Sequence, residues 1–264
     1  MNIVVCIKQV PDISVASEVK INPETNTLIR TGVPSIVNPF DMYAIEESLR
    51  IKEKLGGKVT AISMGPPQAS EALKEVISMG IDEAILIQDI KFAGADTLAT
   101  SHTLATGIQK IGPFDLILCG KQAIDGDTAQ VGPEVAELLN IPVITLVRKI
   151  DEIRPAYAKV ERLIENGFEI VETSLPALFT VVKEINEPRL PTLRGKFKAG
   201  SAIIPTWGQE ELGVKEQEVG LSGSPTQVMK IFTPPTKKGG EIFKGDATQG
   251  ADKLFLYLEE NQFI

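Results

Sequence analysis

Short apolar runs alternate with helical stretches through the first part of the chain, and this alternation restricts the fold more than any other feature. The runs cover residues 2–7, 58–63, 84–87, 115–119 and 142–147. Each has the length of a strand and is bounded by Gly, Pro or polar residues. Short strands separated by helices specify a parallel sheet with helices on both faces. We therefore predict an α/β fold built on a parallel, doubly wound sheet.

The helical stretches carry recognisable start and stop signals. Glycines at 56–57 close the first helix, and Gly80 takes the C′ position of the second. Asp96 can cap a third helix over residues 97–111. Residues 19–21 and 28–30 flank a polar stretch and predict a small hairpin.

The carboxyl ends of parallel strands gather at one edge of a sheet, where ligands bind. The loops after Ile7, Ser63, Ile87 and Cys119 should therefore lie together. Three of these loops carry Pro, Gly or short polar residues, as a nucleotide crevice would. We predict a nucleotide-binding sheet.

The loop GKQAIDGDTAQVGPE, residues 120–134, joins the fourth strand to a helix. A strand, a Gly-containing loop and a helix start can bring backbone N–H groups to a phosphate. Asp127 and Gln130 have capping-box spacing, which would start the helix at Asp127. Pro133 fits only in the first turn, which favours a start nearer Gln130 or Gly132. An ordinary turn rich in cap residues is the alternative interpretation.

The second half of the chain no longer shows the alternation of apolar runs and helical stretches. Residues 157–163 and 168–172 alternate around an Asn-Gly turn and predict a hairpin, followed by a strand over 175–182. About forty residues then lack a regular period, and only 252–260 appear helical. We predict a nucleotide-binding domain over 1–190, including a hairpin at about 155–175. Residues 191–264 are expected to form a partner-recognition segment and a C-terminal arm that wraps another polypeptide.

Composition excludes several classes of function. The net charge of −8 argues against binding of nucleic acid, which needs a basic face. Cys6 and Cys119 lie in apolar runs and are predicted to be free core thiols. No metal-ligand spacing is found, and His102, the single histidine, has no motif of a catalytic triad around it. No apolar run reaches the length of a membrane span and no signal peptide is recognised, so a cytoplasmic location is expected.

Five separated segments identify a family. They are VVCIKQVPD at 4–12, VNPFD at 37–41, SMGPP at 63–67, the loop at 120–134, and NEPRLPTLRGKFKA at 186–199. A signature of the same family is matched around the hairpin by Val160, Arg162, Glu165, Gly167, Glu169, Val171, Pro176 and Thr180, with departures at Asn166 and Phe179. Over essentially its whole length the chain resembles the β subunit of electron transfer flavoproteins.

The resemblance implies a heterodimer with an α subunit that carries a redox FAD. In one branch of the family the β subunit holds a structural AMP. In the electron-bifurcating branch the same crevice holds a second FAD that accepts a hydride from NADH. One electron then passes toward ferredoxin or flavodoxin, and the other through the α-subunit FAD to an acyl-CoA or hydroxyacid dehydrogenase. Residues 125–132 look like the bifurcating type, since Gly126 and Ala129 leave room for a dinucleotide pyrophosphate.

The resemblance also implies the site residues. Backbone contact to the adenosine part is expected from Cys6, and the adenine pocket from Asn38, Pro39, Phe40, Asp41, Met64 and Gly65. Phosphate and ribose contacts are expected from Gly120, Lys121, Gln122, Ala123, Ile124, Asp125, Gly126, Asp127, Thr128, Ala129, Gln130 and Val131. The carboxylates of Asp125 and Asp127 should point away from the phosphates, capping the helix or accepting from ribose hydroxyls.

Leu193 matches a leucine that anchors a dehydrogenase partner in this family, with Arg189, Arg194 and Lys196 around it. Neither a catalytic side chain nor a metal is expected, because the flavin carries the redox chemistry. Two alternatives remain open: an AMP-binding β subunit with a structural nucleotide, and a stress-protein-like ATP-binding domain.

Overall fold

The computed structural model describes residues 1–12, 20–22, 27–29, 34–229, 239–240 and 242–264. The chain divides into two compact units, Met1–Met229 and Lys230–Ile264. This division does not coincide with the expected boundary at 190/191, and the partner role of residues 191–264 stays a prediction.

The strands in chain order are β1 (Asn2–Cys6), β2 (Gln9–Pro11), β3 (Lys20–Asn22), β4 (Thr27–Ile29), β5 (Ser35–Val37), β6 (Lys58–Met64), β7 (Glu83–Ile87), β8 (Leu116–Gly120), β9 (Val143–Arg154), β10 (Tyr157–Ile164), β11 (Gly167–Ser174), β12 (Ala177–Val181) and β13 (Thr206–Trp207). The α-helices are α1 (Pro39–Leu55), α2 (Ala69–Met79), α3 (Thr97–Ile111), α4 (Val131–Leu138), α5 (Leu193–Ser201), α6 (Gln209–Leu212) and α7 (Ala247–Glu260).

Nine strands form the central sheet in the order β11-β10-β9-β12-β8-β1-β6-β7-β13. The strand pairs are parallel from β9 to β13, and β9, β10 and β11 pair antiparallel. One face packs against α1 and α2 through residues such as Leu49 and Leu73, and the other packs against α3 and α4 through Ile108 and Val135. The predicted doubly wound α/β fold is confirmed.

The direction of winding reverses between β1 and β8. From β1 the chain adds β6 and then β7 on one side, and it returns to add β8 on the other side of β1. The two strands run in register, with Cys6 opposite Cys119. Open α/β sheets bind ligands beyond the carboxyl ends of strands at such a switch point.

Local signals predicted several elements closely. The Asp96 side chain accepts a hydrogen bond from Ala99 N and caps α3, and Gly80 ends α2 with a φ of 129°. The pairing of β3 with β4 confirms the small hairpin, although residues 23–26 of its turn lie outside the described residues. The larger hairpin is confirmed by β10 and β11.

Three predictions need correction. The segment after Ile7 was expected to be a loop, but Gln9–Pro11 forms β2, which pairs with β5. The fifth core strand extends beyond Val147 to Arg154, because its second half pairs with β10. A register shift against β12 and a positive φ of 59° at Leu146 mark a bulge in its first half. The stretch after residue 189 is not irregular, since it contains α5, β13 and α6. These elements are short and depend on contacts with the sheet unit, so their local pattern is weak.

The second unit contains α7, which begins earlier than the predicted residue 252. The Asp246 carboxylate accepts hydrogen bonds from Thr248 N and Gln249 N and caps this helix. Leu254, Phe255 and Tyr257 on α7 are exposed. Within the described ranges, no helix combines the length and apolar character of a membrane span.

Candidate nucleotide site and docking surface

Asp41 connects the two strands that flank the switch point. It lies in the first turn of α1 and is only 5% exposed. Its Oδ2 accepts a hydrogen bond from Lys8 N at 2.8 Å, and its Oδ1 accepts one from Gly120 N at 3.1 Å. Because Lys8 follows β1 and Gly120 ends β8, one carboxyl group links the two strand ends.

Burial changes the acidity of the groups around this link. It raises the pKa of Asp41 to about 7, although hydrogen bonds from Asn38 and from the backbone of Lys8 and Gly120 favour the charged form. Burial also raises the pKa of Cys6 to about 12, with Asp41 adding to the shift. The Cys6 thiol therefore stays protonated at neutral pH, and a role for this residue at the crevice would come from its backbone.

Asn38 fastens the start of the loop after β8 to the start of α1. Its Nδ2 donates to Gln122 O at 2.9 Å, and its Oδ1 accepts from Ile124 N at 3.2 Å. The side chain is 1% exposed. Both backbone groups of the loop are thus satisfied by one buried amide, which orders residues 122–124 at the floor of the crevice.

Gly120 allows α1 and β8 to approach closely. A Cβ at this position would lie 2.5 Å from Asp41 Oδ1 and 2.6 Å from the carbonyl carbon of Phe40. Real Cβ atoms do not approach backbone this closely, so only glycine fits without a shift of the main chain.

The outer part of the loop exposes its backbone. Residues 125–130 are exposed, and Asp127 and Ala129 adopt left-handed conformations with φ values of 54° and 55°. Such conformations in residues other than glycine cluster at ligand clamps. A Cβ built on Gly126 meets no described atom within 4 Å. The loop therefore offers open main chain beside the start of α4.

The structure decides between the two start positions that the sequence left open for the helix after β8. Helix α4 begins at Val131, with Gln130 as N-cap and Pro133 in the first turn. The Gln130 side chain makes no capping hydrogen bond within the described part of the chain, and Asp127 lies outside the helix. The start of α4 therefore has no side-chain cap from Gln130, and unpaired backbone N–H groups at a helix start are donors of the kind that bind anions.

Both loop carboxylates have partners inside the protein. Asp125 Oδ1 pairs with Lys8 Nζ at 2.6 Å, and Asp127 Oδ1 accepts a hydrogen bond from Gln122 Nε2. Neither carboxylate caps α4, contrary to one expectation. Their pairing with donors reduces the repulsion that a phosphate would meet from free carboxylates.

The remaining predicted residues lie at the same edge of the sheet. The ammonium of Lys121 lies 4.8 Å from the centre of the Phe40 ring, next to Pro39. Met64 ends β6, and Gly65 N donates to Ile87 O. Ala123 accepts a hydrogen bond from Asp127 N, and Thr128 lies in the exposed part of the loop. The structure thus brings the predicted nucleotide residues together at the carboxyl edge.

The predicted docking residues lie at the opposite edge. Helix α5 packs against the end of α2, because Gly195 lies directly against the carbonyl oxygen of Ser78. Since α2 runs antiparallel to the strands, its end lies at the amino edge. The seven-residue strand β6 puts roughly 20 Å between the two edges.

An apolar surface marks this edge, and we call Leu190, Leu193 and Phe197 the docking patch. Leu190 is 85% exposed, and Leu193 and Phe197 are each 73% exposed. Leu193 and Phe197 are four residues apart on α5 and so lie on one face. Arg194 and Lys196 are in the same helix, whereas the Arg189 guanidinium pairs with Glu46 and Glu53 of α1.

Sequence reasoning overlooked two residues of these sites. Lys8 pairs with Asp125, and its position directly after β1 was a signal that it reaches the carboxyl edge. Phe197 shares a face with Leu193, and the spacing of four residues was available once α5 was assigned as a helix.

The fold defines an α/β protein of the doubly wound class, with the predicted nucleotide residues at the carboxyl edge of its parallel strands. A family model described as "Electron transfer flavoprotein domain" matches residues 25–212. The chain belongs to the electron transfer flavoprotein family, among its β subunits.

Three relatives illustrate the similarity. The "Electron transfer flavoprotein subunit beta" of Thermoanaerobacterium thermosaccharolyticum is 51% identical over 265 residues, covering 100% of both chains. The "Caffeyl-CoA reductase-Etf complex subunit CarD" of Acetobacterium woodii is 49% identical over 266 residues, again covering 100% of both. "Protein FixA" of Azotobacter vinelandii is 46% identical over 251 residues, which cover 92% of this chain and 88% of that protein. These matches do not support the stress-protein-like alternative.

Proposed function

We propose that the crevice holds FAD and that this chain is the β subunit of an electron-bifurcating flavoprotein heterodimer. The observation that carries the proposal is the open main chain around Gly126, next to a helix start that has no side-chain cap. A diphosphate can lie against such backbone with little steric cost. When bound, FAD would accept a hydride from NADH and send one electron toward ferredoxin or flavodoxin and one through the α-subunit FAD.

The chain's own residues would bind and orient this group. Backbone N–H groups at the start of α4 would face the diphosphate, while Lys8 and Gln122 hold the loop carboxylates. Asn38 and Asp41 would shape the adenine end by fixing the distance between α1 and the loop. Neither proton transfer nor a nucleophile is assigned to a side chain here.

The relatives support a link to a dehydrogenase. The printed name of CarD associates that protein with a caffeyl-CoA reductase complex. By analogy, we propose an acyl-CoA or hydroxyacid dehydrogenase as the partner of this chain and the docking patch as its anchor. An α subunit would complete the heterodimer, with the arm that contains α7 against it, and the complex would work in the cytoplasm.

The distance between the two edges of the sheet bears on how electrons would reach the dehydrogenase. The carboxyl edge, where the crevice lies, and the amino edge, where the docking patch lies, are roughly 20 Å apart, as estimated from the length of β6. The patch would therefore serve as an anchor, and the electrons would reach the dehydrogenase through the α-subunit FAD.

Nucleotide analysis of the purified heterodimer tests the proposal. Two FAD per heterodimer, with flavin reduced by NADH under anaerobic conditions, are expected. One FAD together with AMP would overturn the redox role of this subunit and leave a structural nucleotide in the same crevice.

A glycine variant tests the position of the diphosphate. Gly126→Val places its Cβ in open space, so the melting temperature of the nucleotide-free protein should stay unchanged while nucleotide content falls. Gly200→Ala is the matched control, because a Cβ there also meets no described atom within 4 Å. Unchanged nucleotide content in Gly126→Val would remove the loop from the binding site.

Leu193→Ala tests the anchor. We expect slower electron delivery to the dehydrogenase with unchanged reduction of flavin by NADH, because the side chain is 73% exposed and lies at the opposite edge of the sheet from the crevice. An equal loss of both rates would contradict the assigned role.

A further inference from the structure

Residues 186–192, which we call the strap, lie between β12 and α5 in the chain. After β12 ends at the carboxyl edge, the strap runs along α1 toward the amino edge. At its start, Asn186 Nδ2 donates to Tyr43 O and to Glu47 Oε2, each at 3.0 Å. At its end, the Thr192 hydroxyl accepts from Gly195 N and caps α5.

Arg189 is the main attachment in the middle of the strap. Its Nε donates to Glu46 Oε2 at 2.7 Å, and its backbone N donates to the same oxygen at 3.1 Å. One terminal nitrogen, Nη2, donates to Glu46 Oε1 at 3.2 Å and to Glu53 Oε2 at 3.1 Å. Main chain and side chain of Arg189 are thus both bound to α1.

Glu46 is built to receive this residue. It is 3% exposed, and Arg50 Nε donates to its other oxygen at 2.7 Å. Burial opposes its charge, but the two guanidinium groups hold the pKa of Glu46 below its ordinary value. A buried carboxylate of this kind requires its partners, so α1 and the strap depend on each other.

Arg189 directly precedes the residues of the docking patch in the chain. Leu190 follows it directly, and Leu193 begins the next helix. All members of the docking patch therefore lie within eight residues of the attachment point, by their numbers in the sequence. A guanidinium with three or more intramolecular bonds has few donors left for another protein.

We propose that Arg189 is a positioning residue: it fixes the strap on α1 and thereby orients the docking patch, instead of contacting the dehydrogenase itself. The inference rests on the proposed role of the patch. A cation that contacts a partner changes mainly the association rate and its dependence on salt. Loss of a positioning residue makes the patch less rigid, and the resulting loss of affinity persists at all salt concentrations.

The test uses the complete heterodimer and an immobilised short-chain acyl-CoA dehydrogenase from the same organism. Binding is measured over a range of ionic strength, and hydrogen exchange is followed at residues 189–198. Arg189→Met should weaken binding about tenfold with an unchanged salt slope, and exchange over 189–194 should become faster. Arg189→Lys should restore binding in part, since one ammonium can pair with Glu46 but cannot form the fork.

Lys196→Met is the matched control for a peripheral cation. It should reduce the salt slope and leave hydrogen exchange unchanged. If Arg189→Met behaves like Lys196→Met, or binds as tightly as the wild type with unchanged exchange, the inference is overturned. The double variant Glu46→Gln with Arg189→Met removes the stranded buried carboxylate. It should fold and still bind weakly, so poor folding of the single variant leaves the test intact.

Leu193→Ala separates this inference from the proposed function. If Leu193→Ala weakens binding and Arg189→Met does not, only the positioning role fails. If the wild type does not bind, or Leu193→Ala binds equally well, the docking role of the patch fails, and the inference fails with it. Flavin content should be the same in all variants, because the strap lies apart from the crevice loop.

Discussion

The proposed nucleotide crevice and the docking patch lie at opposite edges of one sheet and are built in different ways. In the crevice, side chains such as Asn38 and Asp41 point inward and are buried, and the loop presents its backbone. In the patch, the side chains of Leu193 and Phe197 are exposed on α5, and α5 packs against α2. A change in the crevice should therefore act through main-chain geometry, and a change in the patch through single side chains.

The largest effect is expected from Gly120→Ala, which attacks the geometry of the crevice. The new Cβ would lie 2.5 Å from Asp41 Oδ1 and 2.6 Å from Phe40 backbone, so β8 and α1 must separate. Overpacking of this kind costs about 1–3 kcal/mol or more. Nucleotide content should be lost, and denaturant unfolding should show the lower stability. Dehydrogenase binding by any folded fraction should persist, and a variant with full nucleotide content would contradict this account of the crevice.

The fold was predictable where a signal acts over a few residues. Asp96 caps α3 and Gly80 ends α2 through contacts with their own helices, so sequence spacing was sufficient. The strand β2 was missed because it is short and its partner β5 lies more than twenty residues further along the chain. Helix α5 was missed because it has Gly195 and Gly200 in a short span, and its position depends on packing against α2.

The candidate site was predictable as a set of segments but not as a network. The edge of the sheet that gathers the loops followed from the alternation of strands and helices. The link from Asp41 to Gly120 and the pair of Lys8 with Asp125 join residues far apart in the chain. Such contacts depend on the closed fold, and single-residue patterns do not encode which donor meets which carboxylate.

The second prediction uses pH, because the pKa of Asp41 at the crevice is raised and the pKa of Glu46, the partner of Arg189, is lowered. The pKa of Asp41 is raised from 3.8 to about 7 by burial, so its folded form retains the proton more tightly than the unfolded form. Its contribution to stability therefore falls as the pH rises from about 4 to about 7. The difference in unfolding free energy between wild type and Asp41→Asn should shrink over this window by about 1–4 kcal/mol.

The carboxyl group of Glu46, which holds Arg189 of the strap, should behave in the opposite way. The pKa of Glu46 is lowered from 4.5 because Arg189 and Arg50 outweigh the effect of burial. Its stabilising contribution is present above about pH 4.5 and is lost as the pH falls through the lower folded value. Unfolding of wild type and Glu46→Gln at several pH values would measure it. If the effects of Asp41→Asn and Glu46→Gln on the free energy of unfolding changed with pH in the same direction, the two carboxyl groups would not have opposite pKa shifts.

A third prediction concerns the close approach of α5. Gly195→Ala places a Cβ against the carbonyl oxygen of Ser78, so α5 must move away from α2. We expect about tenfold weaker binding to the dehydrogenase, a loss of about 1.4 kcal/mol, with unchanged flavin content. Gly200→Ala on the same helix meets no described atom within 4 Å and should bind normally. Loss of flavin in Gly195→Ala would show that the two edges are coupled.

The smallest effect tests whether charge is balanced within the crevice. Lys8→Met leaves Asp125 without its ammonium partner, and the unpaired carboxylate should repel a diphosphate nearby. Because the Lys8 side chain is 44% exposed, water screens the repulsion, and nucleotide affinity should fall only about three- to fivefold. Asp125→Asn in the same background should restore most of the affinity, since it removes the repelling charge. Fluorescence titration of the nucleotide-free heterodimer with FAD gives both values. A double variant that binds no more tightly than Lys8→Met alone would contradict charge balance and assign Lys8 a direct contact with the nucleotide.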